Sequence, residues 1–173
     1  ADAHRFGRYG FFLYDQTGEE QYRTWIERNA EWLKNSPQSE NGVFGCVEDS
    51  SRKISGSVMF SVYPFYMEYE TRYHNKAEYA QIVRQLLALA PSEQADMEQK
   101  GWYLMAVIDV IDSMSREIFE HYKSLEEIFK KTIRNILAAG WNNDFSKKES
   151  AMMGYSIIKA CNLGVLNSEK YAE

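Results

Sequence analysis

The chain has 173 residues, of which 45% are hydrophobic and 14% aromatic. That length and composition suit one domain with a hydrophobic core and exclude a disordered chain. The net charge of −5 comes without a long basic run, which argues against nucleic acid as a partner. The apolar runs fall short of the roughly 18 residues that a membrane span needs, so we expect no membrane partner.

The cysteines and histidines do not form a recognisable site. Cys46 and Cys161 are far apart, which favours two reduced thiols over a disulfide framework or a metal motif. The three histidines are scattered, with no carboxylate at ligand spacing, so we expect no metal and no cofactor. They are His4, His74 and His121. The first residues show no signal-peptide pattern, and we expect a cytoplasmic protein.

Apolar side chains recur at helical spacing along most of the chain and predict helices in pairs. The first pair is predicted at residues 6–16, with Gly18 as a C-terminal cap, and at residues 19–35. A polar loop follows over residues 36–55.

The second pair of helices is predicted at residues 57–73 and 76–89. Pro64 lies inside the first of these two segments. Because proline has no backbone N–H, it predicts either a kink or a delayed start of that helix.

The next helix, residues 100–114, is apolar almost all the way round. Such a helix is buried on most sides, so we expect it in an inner layer with other helices around it. Its partner is predicted to begin at Ser124, which forms a capping-box pattern with Glu127, and to end at Gly140.

A fourth pair opens near Lys148 and runs to Gly164, and Ser168 begins a last segment. Helix pairs at a spacing of about 45 residues predict either an open solenoid or a closed (α/α) toroid, and the spacing does not choose between them. We therefore predict an all-α fold of repeated helical hairpins, with residues 1–173 as a single domain.

Two segments carry a family resemblance. Residues 101–106 read Gly-Trp-Tyr-Leu-Met-Ala, and residues 57–65 read Ser-Val-Met-Phe-Ser-Val-Tyr-Pro-Phe. The first is similar to the Gly-Trp helix, and the second resembles the Asp-Thr-Leu-Phe-Met-Ala-x-Pro-Phe motif, of the unsaturated rhamnogalacturonyl hydrolases. These form glycoside hydrolase family 105, which is related to family 88. Further matches follow the family's order at residues 17–22, 42–44, 125–131, 149–155 and 162–166.

The resemblance implies the six-hairpin (α/α) toroid of these glycosidases, of which this chain would form about half. Family members remove a 4,5-unsaturated galacturonyl residue from rhamnogalacturonan (pectin) oligosaccharides. They hydrate the double bond of the sugar by acid catalysis, with an Asp as the acid, instead of using the two-carboxylate displacement of ordinary glycosidases. The expected ligand is therefore an oligosaccharide that ends in an unsaturated uronic acid.

The chain departs from the family where the chemistry takes place. The position of the family's catalytic Asp holds Ser57, and a hydroxyl without an activating partner is not a general acid near neutral pH. The family's substrate-binding His falls on Cys46, and its Arg and Asn fall on Glu98 and Lys100. We therefore expect impaired catalysis and assign no catalytic residue. The predicted substrate-binding residues are Trp102, Cys46, Glu98, Lys100 and Phe60.

Several residues have two interpretations. Trp102 either stacks on a sugar ring or packs in the core, which is commoner for a Trp on an apolar helix. Asp109 is either an acid or, more often for a buried carboxylate, the cap of a neighbouring helix or a partner of Lys or Arg. Asp96 and Glu98, in a predicted loop before Trp102, are more often solvated than turned to a pocket. Glu149 fits a helix cap as well as a substrate contact.

Two classes of function remain open. The first is a glycosidase of the family 105 type. The second is a non-catalytic helical-hairpin protein that binds saccharide weakly or self-associates, because a partial toroid leaves apolar helix faces uncovered. An aromatic-lined acidic pocket near Trp102 would favour the first class, and a flat apolar homodimer face would favour the second.

Overall fold

The computed structural model describes residues 7–36, 54–140 and 145–171, and the regular structure within those ranges is helical, without a strand. The prediction of an all-α fold is confirmed. The helices are α1 (Gly7–Thr17), α2 (Glu20–Lys34), α3 (Gly56–Arg72), α4 (Tyr79–Ala88), α5 (Met97–Ser113), α6 (Phe119–Ala138), α7 (Lys147–Asn162) and α8 (Ser168–Tyr171).

The helices pack as hairpins around a continuous row. Helices α1, α3, α5 and α7 form the row, each in contact with the next. Helix α2 packs on α1 and α3, α4 on α3 and α6, and α6 on α5. The central helix, α5, contacts α3, α6 and α7, and most of its side chains are buried. This confirms the prediction that the apolar stretch before Met114 belongs to an inner layer.

The first hairpin follows the sequence pattern closely. Helix α1 ends at a turn in which Gly18 has a φ of +67°, a conformation that glycine adopts without strain. The Gly18 N–H donates to the carbonyl of Tyr14 at 2.8 Å, which confirms its predicted role as a C-terminal cap.

Helix α3 runs through Pro64 without interruption, so the predicted alternative of a delayed start is wrong. Pro64 has no N–H to donate to the carbonyl of Phe60, four residues earlier. The helix continues because this stretch lies in the core, where Tyr63 and Phe65 on either side of the proline are completely buried.

Helix α4 begins at Tyr79, three residues later than predicted. Asn75 and Lys76 have φ values of +51° and +64°, which a right-handed helix does not accommodate. The buried carboxylate of Glu70 then accepts the N–H of Glu78 at 2.9 Å, immediately before the first helical residue.

Helix α5 begins three residues earlier than predicted, at Met97. The carboxylate of Asp96 accepts the Gln99 N–H at 2.7 Å and caps the helix. Asp96 is therefore the N-cap and Glu98 lies in the first turn, which corrects their placement in a loop.

The predicted start of α6 at Ser124 is also wrong. The helix begins at Phe119, and the Ser124 hydroxyl, inside it, donates to the carbonyl of Glu120 at 2.8 Å. The real capping box belongs to α7. Ser146 accepts the Glu149 N–H at 3.2 Å, and the Glu149 carboxylate accepts the Ser146 N–H at 2.8 Å, which confirms the interpretation of Glu149 as a cap.

Candidate functional site

Three aromatic rings form a strip across the row of helices. Phe60 of α3 has its ring centroid 5.8 Å from that of Trp102 on α5 and 6.5 Å from that of Tyr155 on α7. Each separation lies in the range in which aromatic rings attract one another. We call Trp102, Phe60 and Tyr155 the aromatic strip.

Two glycines let the helices come close enough to form this strip. A Cβ atom on Gly56, at the start of α3, would lie 2.4 Å from Cγ of Trp102. A Cβ atom on Gly101 would lie 2.9 Å from the sulfur of Met152 on α7. Both distances are shorter than van der Waals contact, so glycine is needed at the first position and favoured at the second.

One end of the strip carries an ion pair. The Trp102 Nε1–H donates to a Glu98 carboxylate oxygen at 3.3 Å, and the Lys148 ammonium donates to the same oxygen. The ammonium also lies over the Trp102 ring, 5.6 Å from its centroid, which is a cation–π contact. The hydrogen bond from Lys148, followed by that from Trp102, holds the pKa of Glu98 below its ordinary value.

The other end of the strip is a cluster around the completely buried carboxylate of Asp109 on α5. One oxygen accepts hydrogen bonds from the Tyr155 hydroxyl at 2.6 Å and the Lys159 ammonium at 2.8 Å. The other oxygen accepts a hydrogen bond from Arg8 of α1, and Lys159 also pairs with Asp112 at 2.7 Å. We call these five side chains the Asp109 cluster. It confirms the interpretation of Asp109 as a partner of Lys and Arg.

The pKa values of the donors in the Asp109 cluster follow from their surroundings. Burial raises the pKa of Tyr155, and its hydrogen bond to Asp109 adds to the effect. Burial alone would lower the pKa of Lys159, but the hydrogen bonds to Asp109 and Asp112 outweigh it, and the net change is a rise. The tyrosine therefore stays protonated and the lysine stays charged through the neutral range.

Neither Glu98 nor Asp109 resembles a general acid. Such a group must be protonated at the start of the cycle, which requires a raised pKa. Glu98 is exposed and its pKa is lowered. The oxygens of Asp109 accept from two cations and a hydroxyl, a set of partners that suits the carboxylate anion. The Ser57 hydroxyl, half-buried in the first turn of α3, lies 3.3 Å from that of Ser55.

The structure brings together three of the five predicted binding residues. Trp102, Phe60 and Glu98 come together in the strip and its ion pair. Lys100 is buried instead, and its ammonium donates to the carbonyl of Glu93 at 2.8 Å, tying down the chain before α5. Cys46 lies outside the described residues. The role of these residues in binding stays a prediction.

The described ranges contain neither a candidate metal site nor a candidate membrane span. No group of three or more His, Cys, Asp and Glu side chains there is arranged to hold a metal ion. No described helix is both long and apolar enough to cross a membrane.

Sequence reasoning missed Asp112 of α5 and four residues of this site from other helices. Lys148, Tyr155 and Lys159 come from α7 and Arg8 from α1, which lie far from α5 in the sequence. The four-residue spacing of Tyr155 and Lys159 does place them on one helix face. Their contact with Asp109 arises from the packing of separate helices, and residue spacing within one helix does not reveal that packing.

Comparison with known proteins supports the fold. No protein-family model matches the sequence, and a search of curated protein sequences also returns no match. Among solved structures, the chain is similar to a glycoside hydrolase of family 105 from C. acetobutylicum, with a TM-score of 0.81 and 18% sequence identity. The match covers 94% of this chain and 57% of that chain. The resemblance in the sequence is thus confirmed at the level of the fold: this chain has the helical-hairpin fold of a family 105 glycoside hydrolase and spans little more than half of that protein's length.

Proposed function

We propose that the chain binds the acidic end of a pectin-derived oligosaccharide, such as an unsaturated uronic acid disaccharide, along the aromatic strip, without efficient hydrolysis. The observation that carries the proposal is the strip itself. Aromatic faces give sugars an apolar surface on which to stack, and nearby cations attract a uronate carboxylate. The strip has Lys148 at one end, and Lys159 and Arg8 at the other.

Impaired hydrolysis is proposed because no carboxyl group among the described residues near the strip has the surroundings of a general acid. Hydration of the double bond needs a carboxyl group that can deliver a proton. In the sequence resemblance, Ser57 falls at the position of the family's Asp, and its hydroxyl lies 3.3 Å from that of Ser55. Glu98 is exposed with a lowered pKa, and Asp109 is engaged by three donors. The chain would thus be a pseudoenzyme with a retained binding surface.

Calorimetric titration with an unsaturated uronic acid disaccharide tests this proposal. We expect saturable binding, which Trp102→Ala should weaken by up to about tenfold, because one stacking contact contributes about 0.5–1.5 kcal/mol. Trp32→Ala is the matched control, because Trp32 is 44% exposed on α2, outside the strip. Absence of binding, or an equal loss in both variants, would contradict the proposed site.

A second candidate function is assembly with another copy of the chain. The two end helices of the row each have one neighbour in it, and both carry exposed apolar side chains. On α1, Tyr9 and Phe12 are 65% and 61% exposed, and on α7, Ile158 is 64% exposed. Exposed apolar side chains at both ends of a packed row favour contact with a second row.

Sedimentation over a range of concentrations distinguishes this candidate from a monomeric binding protein. Self-association predicts a concentration-dependent increase in mass, which Phe12→Glu or Ile158→Glu should reduce. Leu87→Glu, on α4 and 40% exposed, is the control that should leave the mass unchanged. A monomer at all concentrations would exclude this candidate and leave saccharide binding unaffected.

A further inference from the structure

The Lys148 ammonium occupies the place where a sugar would approach Trp102. It lies over the Trp102 ring, 5.6 Å from the centroid, and donates to Glu98. Glu98 in turn accepts the Trp102 Nε1–H, so one carboxylate holds both the cation and the indole. Stacking of a sugar on this part of the ring requires Lys148 to move.

The other described neighbours of the Trp102 ring belong to packed helices. The Gly56 backbone lies against Trp102 at the start of α3, and the Phe60 ring packs beside it one turn later. Lys148 and Glu98, by contrast, have side chains that are 52% and 48% exposed. An exposed ion pair contributes little to stability, so this contact can open without disturbing the fold.

The cations at the opposite end of the strip are less available. Lys159 is 21% exposed and pairs with both Asp109 and Asp112. Arg8 is tied to the completely buried Asp109. Removing either cation from Asp109 would leave a buried carboxylate short of partners, which is far more costly than opening a surface pair. Lys148 is therefore the cation of the site that a ligand can recruit most easily.

We propose that Lys148 is a specificity-determining residue: it covers Trp102 until an acidic sugar offers its own carboxylate in exchange for Glu98. A neutral sugar would have to displace the ammonium without giving it a counter-ion, whereas a uronate supplies one as it stacks. The ion pair would thus exclude neutral sugars and admit acidic ones. This inference rests on the proposed function, because it assumes that saccharide binds at Trp102.

The first experiment compares two ligands on the full chain by calorimetry. The acidic ligand is the unsaturated uronic acid disaccharide, and the neutral ligand is a galactosyl-rhamnose disaccharide of the same size. The parent should prefer the acidic ligand, and Lys148→Met should reduce that preference by about tenfold, the size of one charge-assisted contact. Glu98→Gln should bind the acidic ligand more tightly, because the competing carboxylate is gone.

Lys130→Met is the matched control for this experiment. Lys130 forms a comparable ion pair with Glu126, on α6 and outside the strip. The Lys130→Met variant should show the same preference for the acidic ligand as the parent. Retained binding with an unchanged preference in Lys148→Met would overturn the role of Lys148 while leaving the proposed function in place.

A second measurement tests, without any sugar, whether Lys148 shields the Trp102 indole from solvent. Acrylamide quenching of Trp102 fluorescence, isolated by subtracting the Trp102→Phe variant, should rise in Lys148→Met and stay constant in Lys130→Met. If none of the proteins binds either sugar, the proposed function fails, and quenching then decides whether Lys148 covers the indole at all. Unchanged quenching in Lys148→Met would contradict the proposal that Lys148 covers the Trp102 indole.

Discussion

At the scale of single residues, Gly56 has a specific steric role beside the aromatic strip. A Cβ atom there would lie between 2.4 and 2.6 Å from three atoms of Trp102, including its Cβ, which cannot turn away as a flexible side-chain end would. The absence of a side chain at Gly56 therefore allows the first turn of α3 to pack directly against the Trp102 indole of α5.

We expect Gly56→Ala to lower the free energy of unfolding by about 1–3 kcal/mol, the usual cost of overpacking. Gly154→Ala is the control, because a Cβ atom there meets no atom within 4 Å, and alanine favours a helix interior by up to about 1 kcal/mol over glycine. Urea unfolding of both variants checks this. Equal stability of the two would mean that Trp102 is not held against α3.

Asp109 is the residue on which three helices of the row converge. Asp109→Asn should lower the free energy of unfolding by about 3 kcal/mol, because it removes a buried charge that two cations and a hydroxyl share. Asp112→Asn, at a 41% exposed side chain that also pairs with Lys159, should cost less than about 1 kcal/mol. Denaturant unfolding measures both, and similar costs would contradict the central role of Asp109.

At the scale of helices, the two Ser-x-x-Glu patterns of the chain have different roles. Ser146→Ala should lower the free energy of unfolding by about 1 kcal/mol, because Ser146 caps α7. Ser124→Ala should have little effect or stabilise by a few tenths of a kcal/mol, since Ser124 lies inside α6, where alanine is the better helix former. Thermal unfolding of both proteins compares them; a larger loss for Ser124→Ala would contradict the observed helix start.

The positions of the helices could be predicted from the sequence, but several of their first residues could not. Helical periodicity identified the pairs correctly, because packing of an apolar face determines where most of a helix lies. The starts of α4, α5 and α6 were displaced, because they depend on the φ angles of Asn75 and Lys76, on the Asp96 cap and on a helix that continues upstream of Ser124. A local motif does not say whether the preceding residues are already helical.

The candidate site was predictable only in part for a related reason. Trp102 and Phe60 were identified because they match family motifs, and Glu98 because it falls at a position where the family has a different polar residue. Arg8 and Lys159 were not, because their interaction with Asp109 joins residues more than 45 positions apart.

At the scale of the whole molecule, the Asp109 cluster predicts that the protein loses stability at alkaline pH. The ordinary pKa values of Tyr155 and Lys159 are 10.0 and 10.5, and both pKa values are raised in the folded chain. A group that binds its proton more tightly when folded stabilises the fold below its unfolded pKa and loses that contribution as pH rises through its folded pKa. The free energy of unfolding should therefore fall as pH increases above 10.

Denaturant unfolding between pH 8 and about pH 11 measures this fall. Tyr155→Phe should make it shallower, because one of the two titrating groups is removed. A remaining slope is expected in that variant, since burial also raises the pKa values of Tyr66 and Tyr103. Identical slopes in the parent and in Tyr155→Phe would contradict the contribution of the Tyr155 hydroxyl.

The absorbance of the sugar's double bond tests the central proposal most directly. We propose that this glycosidase fold binds acidic saccharide and that its described residues include no acid suited to hydrate the double bond. The parent and Ser57→Asp are incubated with the unsaturated uronic acid disaccharide, and the loss of this absorbance is followed over time. We predict no loss with the parent, because the sequence resemblance aligns Ser57 with the acid of the family, and any gain with Ser57→Asp would support that placement. Steady loss of absorbance with the parent would contradict the account and direct attention to Asp109 or Glu98 as the acid.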